Sequence, residues 1–151
     1  MRLFRVLSAL VVVPAVWIGG FAGAGYGAIN PPPSASTDSA HCIDGMPDPD
    51  GSPNPPPCPV KIILDVPARV DMRIHYATRA GTAGADDFVP VEDEVVTIME
   101  GELSGTIWLQ IRADGVCEPD EVFYVAIFEP SDGTVEDGVG EITIVSTDCR
   151  R

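Results

Sequence analysis

The chain has 151 residues, with 23 Asp and Glu against 9 Lys and Arg, for a formal charge of −14. That is one domain's worth of sequence, long enough to bury a core. Its acidity disfavours nucleic acid and anionic membrane surfaces as partners and favours cations.

Met1-Arg2-Leu3-Phe4-Arg5, the apolar run Val6–Ile18 and the small residues Ala22-Gly23-Ala24 have the order of a signal peptide, assigned to residues 1–24. The alternative is a retained anchor. The apolar stretch to Phe21 is 16 residues and is interrupted by Pro14, Gly19 and Gly20, short of the ~20 that a span needs. Export is expected, with the protein secreted or held at the cell envelope. In that setting Cys42, Cys58, Cys117 and Cys149 are disulfide candidates. Residues 25–57 are rich in Pro, Ser and Asp and read as a spacer with a degenerate first strand, because Pro breaks helices and restricts its predecessor. An EF-hand frame with Gly51 in sixth place would start at Met46 and end at Pro57, so the Asp-rich loop there reads as a solvated turn.

Beyond Pro59 the pattern is short strands with turns between them. Val60–Val66 and Asp71–Ala77 come first; Met72, Ile74 and Tyr76 alternate with Arg73 and His75. Val95–Met99 is a third strand, and in Thr106–Ile111 the residues Ile107, Leu109 and Ile111 take one face. Val122–Phe128 is apolar on both faces, as a central strand is, and Gly140–Ser146 is the last. No helical period is present. Together these argue an all-β, antiparallel sandwich.

Tyr76-Ala-Thr-Arg-Ala-Gly81-Thr-Ala-Gly84-Ala-Asp86-Asp87-Phe88-Val-Pro90 resembles the "YATxxGTAxxGxDYxP" signature of Calx-beta domains, the immunoglobulin-like sandwiches of sodium–calcium exchangers and bacterial surface proteins. Glu100-Gly101-Glu102 is similar to that family's "PGE" turn. Ile111-Arg-Ala-Asp114-Gly-Val-Cys117-Glu118-Pro119-Asp120-Glu121-Val-Phe123 is similar to its "ILDDxxxEPDExF", and Gly140–Val145 to its last strand. The resemblance implies an immunoglobulin-like, Calx-beta-type domain over residues 58–149. It also implies that calcium ligands gather at one end of the sandwich: Asp87, Asp114, Glu118 and Asp148. Ala113, Ser146 and Thr147 stand where the family carries carboxylates, which limits the expectation to one weak Ca2+ site. The competing reading is that these acids fill turns and solubilise loop ends.

Four cysteines allow three pairings. Cys117 precedes the strand Val122–Phe128 and Cys149 follows the last strand, at the same end of an antiparallel pair, while Cys42 and Cys58 bracket the Pro-rich segment. The favoured pairs are Cys117–Cys149 and Cys42–Cys58. Trp108 falls on the outward face of its strand, where it is either covered by the Pro-rich segment or an interface anchor. His41 and His75 lack a partnered nucleophile motif, so no enzyme activity is expected. The sequence supports an exported Calx-beta-like binding or structural module, with an extracellular or cell-surface protein as partner. The alternatives are a metal-free, disulfide-stapled interaction domain and, remotely, a small secreted hydrolase.

Overall fold

A computed structural model describes residues 31–45, 56–113 and 115–147. Residues 1–24, expected to be a signal peptide, residues 46–55, and Asp114, Asp148 and Cys149 lie outside the described residues. The described residues form nine strands: β1 Ser34–Thr37, β2 Ala40–Ile43, β3 Cys58–Leu64, β4 Met72–Ala80, β5 Glu94–Ile98, β6 Ser104–Leu109, β7 Glu121–Phe128, β8 Thr134–Asp137 and β9 Val139–Val145. They form two sheets, β6-β3-β1-β8 and β2-β9-β7-β4-β5. Among the described residues no helix is long and apolar enough to cross a membrane.

Period-two alternation builds the sandwich. Val60, Ile62 and Leu64 of β3 and Ile107 and Leu109 of β6 face Met72, Ile74 and Tyr76 of β4, Phe123, Val125 and Ile127 of β7, and Ile142 and Ile144 of β9, all buried. β7 lies in the middle of the five-stranded sheet, as its two apolar faces require. Its outward residues Val122, Tyr124, Ala126 and Phe128 are only partly covered. Tyr76 carries its hydroxyl into this core edge and donates it to Glu94 Oε2 at 2.6 Å. Burial, reinforced by that hydrogen bond, pushes the phenol pKa up to about 12.

The N-terminal segment departs from a spacer. The degenerate first strand is two strands in two sheets: β1 runs antiparallel to β3 and parallel to β8, and β2 runs parallel to β9. Ala35, Thr37 and Cys42 are its buried side chains. The chain changes sheets at Asp38, whose N–H donates to the Lys61 carbonyl at 2.9 Å. Gly140 makes room for this crossing, since a Cβ there would sit 2.5 Å from the Asp38 carbonyl oxygen. Small side chains and backbone pairing, rather than apolar alternation, hold this piece, so its sequence reads as linker. β8 escaped for a similar reason, being short and half-buried at one residue only.

Cys42 and Cys58 are joined, tying β2 of one sheet to β3 of the other across 5.6 Å between Cα atoms. Cys117 is disulfide-bonded as well; the expected pairing with Cys149 involves a residue outside the described ones.

Candidate metal centre

The site is built where core-facing positions run past the end of the apolar core. In β7, Glu121 shares the inward parity of Phe123, Val125 and Ile127. In β9, Ser146 continues Ile142 and Ile144, and after β2 Asp44 continues Cys42. Each sits one step beyond the last buried apolar side chain, so each strand delivers a polar group to the same end of the sandwich.

Asp87 arrives on a different device. Thr82 Oγ1 accepts the Val122 N–H at 2.7 Å, and the Ala83 N–H donates to the Val122 carbonyl at 2.9 Å. These bonds lash the loop to the start of β7. Gly81 is required for this approach, because a Cβ there would lie 2.4 Å from the Val122 oxygen. Ala83, fully buried, pins the loop, and Phe88 stacks on Phe123 with centroids 4.1 Å apart and planes 11° from parallel. Asp87 Oδ2 then accepts the Gly84 N–H at 2.7 Å, and its carbonyl accepts the Arg112 N–H at 2.8 Å. The Gly-Thr-Ala-Gly-Ala-Asp-Asp run thus has a mechanical explanation: glycine for contact, threonine and alanine as anchors, aspartate at the tip.

The outcome is a trio of half-buried carboxylates, Asp87, Glu118 and Glu121, with one oxygen from each lying within 4.8 Å of the others. They line a cleft of about 20 Å³ together with Asp44, Arg112, Pro119, Ile144 and Ser146, a space suited to one water-sized occupant. Asp44 Oδ1 accepts both the N–H and the hydroxyl of Thr147, each at 2.9 Å. Carboxylates this close repel one another by ~1 kcal/mol per pair in bulk water and by more where water is excluded. Arg112, the cation in the cleft lining, offsets part of that.

Two of the four expected ligands, Asp87 and Glu118, are therefore brought together. Asp114 and Asp148 lie outside the described residues. Two further acids, Glu121 and Asp44, were not anticipated as ligands. Parity was the available signal for both, since Glu121 is two before Phe123 and Asp44 two after Cys42. Trp108 is not covered: on β6, across from Pro59, it is 62% exposed. His75, on the outward face of β4, has Nδ1 2.6 Å from Asp93 Oδ1 and its ring 5.8 Å from that of Phe128, apart from the acidic cleft.

No protein-family model matches the chain. Solved structures do. The apo-form Calx CBD1 domain superposes with a TM-score of 0.60 at 18% identity, covering 76% of this chain and 96% of that one. The calcium binding domain CBD12 of CALX1.1 gives 0.60 at 22% identity, over 76% of this chain and 46% of that one. The Calx CBD2 domain gives 0.58 at 16% identity, over 75% and 86%. The Tyr76–Pro90 and Ile111–Phe123 motifs thus lie in a chain that folds as a two-sheet β-sandwich similar to those of the Calx CBD domains.

Proposed function

We propose that the protein is an exported Calx-beta-like binding module that takes one calcium ion in the cleft lined by Asp44, Asp87, Glu118 and Glu121. The observation that carries this is the convergence of three carboxylates within 4.8 Å at one end of the sandwich. Calcium takes six to eight oxygens, and carboxylates, backbone carbonyls and water together can supply them. Asp114 and Asp148 belong to the same reading as further ligands. An ion there would tie the Asp87 loop to the segment leading into β7 and to the end of β2, making this end of the domain rigid. Ala113, Ser146 and Thr147 offer no carboxylate, and Arg112 adds a positive charge to the lining, so the reading is of weak affinity matched to extracellular calcium of about millimolar concentration. The likeness to a calcium binding domain of CALX1.1 supports the same conclusion.

Titrating calcium into the 15N-labelled oxidised protein tests it. Saturable amide shifts at Gly84, Glu118 and Ser146, lost in Glu118→Gln, are expected. Unmoved amides at 10 mM calcium would refute the reading.

A second reading, a metal-free module that binds an extracellular or cell-surface protein, is favoured by the exposure of Trp108 at a sheet edge. The two separate readily. A metal-free module shows no calcium-dependent amide shifts in the wild type, whereas the calcium reading predicts them and predicts that Trp108→Ala leaves them intact.

A further inference from the structure

We infer that the Cys42–Cys58 disulfide positions the acidic centre: it holds β2 against the core and so holds Asp44 at the cleft, and the cation site is complete only in the bonded chain. The inference rests on the calcium reading above.

The two cysteines stand on unequal supports. Cys58 begins a strand whose inward residues Val60, Ile62 and Leu64 are at most 3% exposed and which pairs with β1 and β6 on its two sides. β2 is the opposite. It has four residues, sits at the edge of its sheet, and among the described residues pairs only with β9. Cys42 is its one buried side chain; His41 and Ile43 are exposed. Beyond Cys42 only the small, half-buried Ala40 touches the core, and short edge strands with few core contacts fray first, so the covalent bond to β3 is the main anchor of β2. Asp44 follows two residues after Cys42. Its N–H reaches the Val145 carbonyl at only 3.4 Å, and its carboxylate is held by Thr147 beyond the end of β9. Release of β2 therefore removes Asp44 from the cleft while leaving Asp87, Glu118 and Glu121, which sit on the β4–β5 connection and the β6–β7 side of the molecule, where they are.

The test is a double-mutant cycle on calcium affinity, measured by amide shifts in the full chain with calcium chloride as the probe. Asp44→Asn and the pair Cys42→Ala/Cys58→Ala are each expected to weaken binding by about tenfold, as loss of a supporting group does at metal sites. The combined triple variant should bind no more weakly than the cysteine pair alone. A purely structural staple would lower the melting temperature yet leave the full effect of Asp44→Asn in the cysteine-free background. That additivity, or wild-type affinity in the cysteine pair, overturns the inference. If the alanine pair does not fold, Cys42→Val/Cys58→Ala refills the volume and carries the same cycle. Failure of the calcium reading looks different, because the oxidised wild-type protein would then show no calcium-dependent shifts at all.

Discussion

Asp87→Asn separates electrostatic cost from metal binding at the cleft. The asparagine keeps an oxygen to accept the Gly84 N–H, so the loop tip retains its hydrogen bond while losing its charge. In the native trio Asp87 has two carboxylate neighbours within 4.8 Å. At that distance each pair repels by ~1 kcal/mol with the dielectric of water and by ~3 kcal/mol at an effective value of 20. The groups are half-buried and Arg112 shares the cleft, which brings the net relief to ~1 kcal/mol. Without calcium the variant should therefore melt a few degrees higher than the wild type, as a domain of this size converts such a gain. With calcium the order of benefits reverses. A site with Kd ~0.1 mM in 10 mM calcium stabilises by ~2.7 kcal/mol, and a tenfold weaker one by ~1.4 kcal/mol. The calcium-dependent increment should fall by about half. Differential scanning calorimetry in chelator and in calcium reads both quantities. A lower melting temperature in chelator, or an unchanged calcium increment, would refute the reasoning.

Further expectations follow from the same geometry. Arg112→Gln removes the cation from the cleft lining and should tighten calcium binding a few-fold, seen in the same amide titration. Gly81→Ala places a methyl 2.4 Å from the Val122 oxygen; it should destabilise the protein by ~2 kcal/mol or more and weaken calcium binding by displacing Asp87, both measurable on one sample series. Tyr76 has its pKa raised from 10.0 to about 12, so its protonated hydroxyl adds stability below pH 10 that is lost as pH rises toward 12, at most ~2–3 kcal/mol. Denaturant melts from pH 9 to pH 12 should show that loss, and Tyr76→Phe should flatten it while costing ~1 kcal/mol at neutral pH through the missing bond to Glu94.

How much of this could be read from the sequence differs by segment. From Cys58 to Val145 the strands other than β8 announce themselves, because Met72-Ile74-Tyr76, Ile107-Leu109-Ile111 and Phe123-Val125-Ile127 alternate cleanly and bury one face. The segment Ser34–Ile43 has no such alternation. Ala35 and Thr37 are too small to stand out, and parallel pairing with β8 and β9, 100 residues away, leaves no local mark. At the site, Asp87 and Glu118 were legible through their motifs. Glu121 and Asp44 sit among turn-forming residues and resemble ordinary loop acids; their mark is the inward parity, one step past Phe123 and Cys42. The consequence for the centre is that its acids come partly from the ends of core-facing rows, where an apolar side chain has given way to a charged one.

The central claim is that the acidic end is a calcium site, and the melting temperature of the oxidised protein tests it most directly. Compared with chelator, 10 mM calcium should raise it by several degrees, the equivalent of ~2.7 kcal/mol for a site of Kd ~0.1 mM, and Glu118→Gln should erase most of that rise. An identical melting temperature in calcium and in chelator would contradict the account.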